Sequence, residues 1–515
     1  MLNPPAISYD DVPYDSRSFF ETQPNRLAAM AALFGMSPAR VDRARVLELG
    51  CAGGGNLVPL ALAWPEGRFT GIDLSARQID DARNLAARVG ASNVDLRAIG
   101  FTSMGEEFGE FDYIIAHGLY SWIAPSLRER LLEVVEKHLA PNGVAYVSYN
   151  TYPGWHGRGV VRDLLTYHAQ GITDPLEISR RSRTLLEAVV PVVGERGDGF
   201  GHNLKEVLKH LQGQGDWYVL HDYLESENHP VYFHEFVSSA AAKGLRYLSE
   251  AGLRTMADWN QAPEARAVLD RLSAGDPIAR EQYHDYLCNR NLRRSLLCRA
   301  DVPTSRSVAP EALRTLRVAS HLGPNAPCSD PFAAGVVAYR SQDGGAGVAT
   351  DEPLLKLAMR ALTECWPRSL PFEDLHRIVR DHAEPEALGE ALLQAFAADV
   401  VDLLTHEPGF VSGVSERPVA SPLARLQAES GPRVTNVTHR TIVLGPFDAL
   451  VLPRLDGQRD RRALLDSLVE AATSGVFTID REGRPITDAA QLRGILGPTL
   501  DASLGQFARN ALLVG

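Results

Sequence analysis

The run ARVLELGCAGGGNLVPLALA (44–63) decides how the rest of the chain is read. ARVLELG (44–50) predicts a short apolar strand, a cluster of small residues follows it, and Asn56 to Ala63 begins a helix. A strand buried on both faces is apolar throughout, as the central strands of a parallel sheet are. Small residues at its end let the backbone approach a ligand closely, and the helix start beyond offers unpaired N–H groups. Working outward, GRFTGIDLS (67–75) predicts a second strand, Ala76 to Val89 a helix and Asn93 to Ile99 a third strand. FDYIIAHGL (111–119) predicts a fourth strand and Leu127 to Leu139 a helix. Pro141-Asn142-Gly143 reads as a turn into a fifth strand, GVAYVSYN (143–150). Strands alternating with helices at this spacing predict βαβ units around a parallel sheet.

The turn points to a nucleotide-like ligand. Asp73 ends the second strand, where a carboxylate can accept two hydrogen bonds from a ribose diol. The dinucleotide pattern G-x-G-x-x-G fails in either frame: from Gly50 the third position is Ala52, and from Gly53 the sixth is Val58. The methyltransferase pattern E-x-G-x-G-x-G fits better, with Glu48, Gly50, Ala52 in place of the middle glycine, and Gly54. The alternative is a tight strand-to-helix turn that binds nothing.

Composition bounds the rest. The chain of 515 residues has room for about three domains. Its 45% apolar and 23% charged content excludes a mostly disordered chain, a coiled coil and a collagen-like rod. A net charge of −12 disfavours unselective binding to nucleic acid. The apolar run LVPLALAW (57–64) falls far short of the ~20 residues of a membrane helix. Asp10, Asp11 and Asp15 precede the first basic residue, Arg17, so the start lacks the charge pattern of a signal peptide. Cysteines 51, 288, 298, 328 and 365 are sparse and unpaired in sequence, which predicts neither a disulfide framework nor a zinc site and suits the cytoplasm.

Helical spacing dominates from Arg158 to about Arg299, with a strand near Leu245 to Leu248. Residues 321–350, rich in Gly, Pro, Ser and Ala, read as a linker or loose loop. Helices are predicted at 354–366, 375–381 and 384–396, and strands at 400–406, 441–444 and 475–480, a winged-helix-like order. Arg290, Arg293, Arg294 and Arg299 are expected on a helix, as a solvated surface or interface ion pairs rather than a nucleic-acid site. His202, His210, His221, His229 and His234 lack metal-helix spacing, so no metal is expected. Tyr218, Tyr223, Tyr232 and Phe233 read as core or dimer contacts.

Residues 44 to about 155 resemble class I S-adenosylmethionine-dependent methyltransferases, through VLELGCAGGGN, TGIDLS, FDYIIAHG and LAPNGVAYVSYN. More narrowly, the chain is similar to bacterial methyltransferases with a methyltransferase regulatory domain, including rickettsial-type protein lysine methyltransferases. That likeness rests on YDDVPYDSRSFFETQPNRLAAMAALFGM (9–36), HGLYSW (117–122), SYNTYPGW (148–155), HPVYFHEF (229–236), CNRNLRRSLLCR (288–299) and LDGQRDRRALL (455–465). It implies an α/β fold with a Rossmann-like methyltransferase domain, lid included, over 1–170, and a helical regulatory and dimerisation domain over 171–300. A linker over 301–350 and a winged-helix-like domain over 351–515 follow. It also implies a protein presenting lysine as acceptor, an outer-membrane protein among the candidates, and a homodimer. A small-molecule N- or O-methyltransferase and a non-catalytic cofactor-binding scaffold are the alternatives.

On that footing Gly50, Cys51, Ala52, Gly53 and Gly54, with Asn56 behind them, face the methionine end of S-adenosylmethionine. Glu48 fixes the turn or reaches the ammonium group through water. Asp73 takes the ribose, with Leu74 after it. Ile99, Gly100 and Phe101 follow the third strand, where this fold places adenine, although this chain lacks the acid many relatives carry there. His117 and Gly118 end the fourth strand beside the methyl-bearing sulfur. The segment Tyr9 to Gly35 is expected to act as a lid, with Tyr14 on it. Arg26 either pairs with the cofactor carboxylate or is a solvated first-turn residue. Tyr120, Trp122, Tyr149, Asn150, Tyr152 and Trp155 follow the fourth and fifth strands. They are expected to wall a narrow acceptor channel whose aromatic faces suit a lysine chain; the alternative is loop-to-sheet packing.

Overall fold

The computed structural model describes residues 12–195, 197–212, 214–325, 335–341, 347–481 and 484–515. The start of the expected lid, part of the expected linker and Cys328 lie outside them.

A seven-stranded sheet organises the molecule, in the order β3-β2-β1-β4-β5-β7-β6. Its strands are β1 (Arg45–Leu49), β2 (Arg68–Asp73), β3 (Val94–Ala98), β4 (Phe111–Ala116), β5 (Leu139–Asn150), β6 (Leu245–Glu250) and β7 (Leu292–Arg299). β1 to β5 are parallel, β7 is antiparallel to β5, and β6 is antiparallel to β7. The direction of winding reverses between β1 and β4. In such sheets a crevice opens there, beyond the carboxyl ends of the strands.

Helices α1 (Pro24–Leu33), α2 (Leu57–Ala63), α3 (Ala76–Val89), α4 (Pro125–His138) and α5 (Trp155–His168) pack around the parallel half. α3 shows why. The Ser75 hydroxyl caps it by accepting from Gln78 N, Gly90 ends it at φ +75°, and Ile79, Ala82, Ala86 and Val89 form its buried stripe. Strand alternation divides the core. Val46, Tyr113, Ile115, Val144 and Tyr146 face α1, α2 and α3. Leu47, Ile114, Ala145, Val147 and Tyr149 face α4 and Phe233 and Phe236.

Beyond α5 come α6 (Pro175–Gly194), α7 (Gly199–Gln212) and a short turn, α8 (Asp216–Tyr218), which runs into a π-helical turn at Val219–Tyr223. Then follow α9 (Phe233–Ala242), α10 (Pro263–Ser273) and α11 (Pro277–Cys288). The expected boundary between 170 and 171 therefore does not separate a helical domain from the sheet, because β6 and β7 return to complete it. The arginine-rich run expected as a helix is β7. Arg293 is fully buried there, with Glu250 at 2.8 Å, Asp285 at 2.8 Å and Glu281 at 3.0 Å. A buried cation in a strand reads as a surface residue until the carboxylates of the preceding helix and of β6 are placed around it.

The expected linker is also structured where described. Arg317–Ala319 pairs with Leu370–Pro371 and with Asp402–Leu404. Leu322–Pro324, Val337–Ser341 and Gly347–Thr350 form a second antiparallel sheet. Helices follow at Pro353–Cys365, Phe372–Val379 and Pro385–Ala397. A separate core joins Ala420 to Leu513 around helices Arg461–Thr473 and Ala489–Arg509 and the pair Arg433–Thr435 with Thr441–Val443. The strand expected at 475–480 shrinks to Asp480–Arg481 paired with Arg484–Pro485. No helix of the described residues is long and apolar enough to cross a membrane.

Candidate active site

The glycine turn sits at the mouth of the crevice. Gly50, Ala52 and Gly54 all have positive φ, +74°, +46° and +76°. For Ala52 this left-handed backbone costs about 1–2 kcal/mol. Asp73 offsets it: its Oδ2 accepts from Ala52 N and its Oδ1 from Ser75 N, both at 2.9 Å. At Gly54 a Cβ would lie 3.0 Å from the Ala82 Cβ, so glycine lets α3 close against the turn. Cys51 turns its buried thiol toward Gly71 and leaves only backbone for a ligand.

Glu48 points behind the turn. Its Oε1 accepts from Asn56 Nδ2 at 2.8 Å, and its Oε2 has no hydrogen-bond partner among the described residues. Burial, only partly offset by Asn56, pushes the carboxyl up to about 8. Asn56 Oδ1 accepts from Phe19 N at 2.9 Å and from His439 Nε2 at 2.8 Å. Burial holds His439 down at about 3, so it stays neutral. Of the two expected roles for Glu48, this geometry suits fixing the turn. Glu48→Gln is isosteric with the protonated acid and should change cofactor affinity less than about threefold at pH 7, read by calorimetry. A tenfold loss would mean that an ionised Glu48 contacts the ligand. Because its folded value lies above the unfolded one, the stability Glu48 contributes disappears as pH rises through about 8.

Residues 12–18 strap the turn. Ser16 Oγ accepts from Gly55 N at 2.7 Å, and a Cβ on Gly55 would overlap the Ser16 carbonyl. Arg17, beside it, is exposed and lies over the Phe19 ring at 5.5 Å. Ser16 and Arg17 lie in the stretch expected as a lid, where only Tyr14 and Arg26 are singled out. Tyr14 is further along the strap, edge-on to Trp217 at 4.7 Å rather than over the glycines. Arg26 corrects both expectations made for it. It is buried, its Nε donates to Ala251 O at 3.1 Å, and its Nη1 pairs with Asp402 at 3.4 Å.

On the far side of Asp73, Leu74 is 82% exposed. Its Cδ1 is 3.7 Å from where a Gly100 Cβ would be, and Ile99 and Phe101 pack back against the sheet. A carboxylate at one end and an open apolar side chain beside a glycine at the other fit a ribose joined to a flat heteroaromatic ring. At the end of β4, His117 Nδ1 is 3.0 Å from Tyr146 Oη, and the His117 ring lies 3.8 Å from that of Phe19. Burial, with the Arg294 charge, pushes His117 down to about 3, so no cation faces the crevice from this position. Gly118 N donates to Ser148 Oγ at 2.7 Å.

The expected acceptor channel divides. Tyr120 and Tyr149 are buried against Phe236, with ring centroids 5.1 and 4.1 Å away, and Tyr149 Oη lies 3.0 Å from Ser295 Oγ. They are core residues of the α9 face, which corrects their placement in the channel. The reason is strand geometry: Tyr149 projects opposite to Ser148 and Asn150. The other four gather beyond β4 and β5. Trp122 meets Trp155 edge-on at 6.4 Å, and Tyr152 stacks on His156 at 4.3 Å beside Tyr232 at 5.2 Å. Asn150 Nδ2 donates to Asn228 Oδ1 at 3.3 Å. The segment carrying Asn228 is tied down by His229 N donating to Ser121 O and Val231 N to Asn150 O. Sequence reading left this segment out of the site.

Comparison with known proteins agrees with this architecture. Three family models match: "Methyltransferase domain" over residues 47–145, "Predicted methyltransferase regulatory domain" over 215–299, and "PKMT, C-terminal winged helix domain" over 416–512. An uncharacterized protein of Rickettsia prowazekii (strain Madrid E) is 31% identical, covering 98% of this chain and 93% of its own. The structure of PKMT2 from Rickettsia typhi in complex with AdoHcy superposes with a TM-score of 0.86 at 27% identity, covering 98% of this chain and all of that one. Trans-aconitate 2-methyltransferase of Azoarcus sp. (strain BH72) is 29% identical over 25% of this chain and 48% of its own.

Proposed function

The chain belongs to the class I S-adenosylmethionine-dependent methyltransferases that carry a regulatory domain and a PKMT-type C-terminal winged helix, and on that premise we propose that it methylates the side-chain nitrogen of lysine in a protein acceptor. The observation that carries this is the end-to-end match to PKMT2, whose complex holds AdoHcy, together with the Asp73, Leu74 and Gly100 cradle. Bound S-adenosylmethionine supplies an electrophilic sulfonium methyl. Asp73 holds the ribose hydroxyls while keeping its two backbone donors. Leu74, Ile99 and Gly100 cover the adenine. The backbone of the glycine turn meets the methionine end. Neutral His117 and the Phe19 ring close the crevice without setting a cation against the sulfur. Trp122 and Tyr152, both half-exposed, offer aromatic faces to the aliphatic chain and ammonium of lysine, whereas Trp155, expected in the same wall, is buried behind Trp122 with Arg158 over its ring.

Arg17 takes the role once considered for Arg26. It is exposed on the strap, next to Ser16, whose Oγ accepts from Gly55 N, and from there it can meet a carboxylate at the methionine end. Arg17→Ala should weaken S-adenosylmethionine binding about fivefold, the scale of one partly exposed ion pair. Unchanged affinity in calorimetry at low salt would remove Arg17 from the site.

The function is tested by radiolabelled methyl transfer to a cell protein extract and a metabolite extract side by side. Label on lysine of a protein is expected. Label confined to metabolites would make this a small-molecule methyltransferase, and tight cofactor binding with no label in either would make it a scaffold.

A further inference from the structure

A π-helical turn, Val219–Tyr223, follows directly on the short helix α8 and ends it, packed against α5 and α6. Such turns add a residue to a helix at the expense of hydrogen-bond geometry and recur at functional sites. Here the turn presents Asp222. Its Oδ2 is buried and has no hydrogen-bond partner among the described residues, and neither has the neighbouring Tyr223 hydroxyl. A buried carboxylate left unbonded costs several kcal/mol or neutralises itself, so its presence calls for an occupant that completes it.

The turn is anchored to both halves of the site. His221 Nε2 donates to Val12 O at 2.6 Å, at the start of the strap that runs on to Ser16 and the glycine turn. On the other side Arg162 Nη1 donates to Tyr223 O at 2.8 Å, which holds the turn against α5. α5 begins at Trp155, directly after β5, and Arg158 lies over that ring at 5.7 Å. The turn that carries Asp222 is thereby tied through His221 to the strap that crosses the glycine turn, and through Arg162 to the helix that follows the aromatic loop after β5.

We infer that Asp222 binds the acceptor amine as a cation and takes up its proton before the nitrogen attacks. This rests on the lysine reading above and deepens it. In the step, one ammonium N–H bond breaks and the proton passes to Asp222 Oδ2, while the bonding pair stays on nitrogen. That pair forms the nitrogen–methyl bond as the methyl–sulfur bond breaks and its pair stays on sulfur. The products are S-adenosylhomocysteine and a methylated ammonium, and Asp222 then returns its proton to solvent.

The charge balance suits a proton acceptor near neutrality. Burial pushes Asp222 up to about 7, against the pull of Arg158 on α5, His221 on its own turn and Arg17 on the strap. Tyr218 and Tyr223, themselves raised by burial, and His210, 3.0 Å from Tyr218 Oη and lowered by burial, add no fixed charge near pH 7. A lysine cation bound here meets a carboxylate whose ionisation it favours.

The test uses the full chain saturated with S-adenosylhomocysteine and n-butylamine as the lysine mimic, with binding read by saturation-transfer NMR from pH 6 to 8. Wild-type affinity is expected to rise with pH through about 7. In Asp222→Asn it should be at least tenfold weaker and flat, the loss expected for a hydrogen bond to a charged group. Asp163→Asn, on the exposed face of α5, should match wild type. Calorimetric affinity for S-adenosylhomocysteine should be the same in all three. Thermal stability separates a structural role. The raised folded value means that wild type loses stability as pH rises through about 7, so Asp222→Asn should be at least as stable as wild type at pH 8. No butylamine binding by wild type, equal affinity in Asp222→Asn, or a less stable variant at pH 8 overturns the inference. The reading beneath it fails differently: label confined to metabolites, with Asp222-dependent butylamine binding intact, removes the protein acceptor and leaves the amine site.

Discussion

Asp73→Ala should weaken S-adenosylmethionine binding by more than about 100-fold, the largest single effect on ligand affinity expected in this chain. Two ribose hydroxyls donating to a carboxylate contribute about 1.5–3 kcal/mol each, and every 1.4 kcal/mol is a factor of ten. The same carboxylate also holds Ala52 N and Ser75 N. Part of the loss therefore comes from releasing Ala52 from its left-handed backbone. Asp73→Asn separates the two contributions. It keeps an acceptor oxygen for one backbone donor, removes the charge, and should cost about tenfold. Calorimetry gives both affinities and thermal unfolding monitors the fold. Wild-type affinity in Asp73→Ala would mean that the crevice does not hold the cofactor by its ribose, and the proposed function would lose its footing.

Arg293→Met should destabilise the fold by about 3–5 kcal/mol at pH 7, because it leaves buried carboxylates without their main counter-charge. Arg293 is enclosed by Glu250, Glu281 and Asp285, with Arg290 2.7 Å from Asp285 as the second cation. The effect should depend on pH. Burial raises Glu281 and Asp285 even with Arg293 present, whereas for Glu250 the pull of Arg293 and Arg290 outweighs burial and lowers it. Without Arg293 all three should lie above their unfolded values. The variant then loses stability as pH rises, since the folded state holds protons the unfolded state releases. Denaturant unfolding at pH 5.5 and pH 8 should show the larger deficit at pH 8. A deficit that is small, or the same at both, would mean that water reaches the cluster and screens it.

The strap and the C-terminal half converge on one stretch of backbone. Ser16 covers Gly55, His439 reaches Asn56 behind the turn, and Gln23 Nε2 donates to the Thr438 carbonyl at 3.3 Å. The C-terminal region is therefore part of the wall behind the cofactor turn as well as an appended module. It gives that region a physical route to affect cofactor binding without touching the acceptor.

Much of this was legible in the residues and some was not, and the division follows the range of the interactions. Local patterns with one dominant cause read correctly: apolar runs for buried parallel strands, a cluster of small residues for the turn, Asp73 at a strand end, and the α3 stripe from Ile79 to Val89. The opposite orientations of Tyr149 and Asn150 were also available, because neighbours on a strand must face opposite ways. Arg26, Arg293 and Asp222 were not available. Each is a charge whose meaning depends on partners brought in from other elements of the fold or on a missing partner, and a polar side chain in isolation reads as solvated. The chain order of β6 and β7 hid their place in the sheet for the same reason. What the linear chain determined was the nucleotide-binding half and its chemistry, since those are built from contacts between successive elements. What only the tertiary structure decided was which charges are buried, what crosses over the glycine turn, and that a carboxylate of the regulatory region has a buried oxygen without a partner among the described residues. Folding settles these because desolvation depends on what the whole chain places around a group and not on its neighbours in sequence.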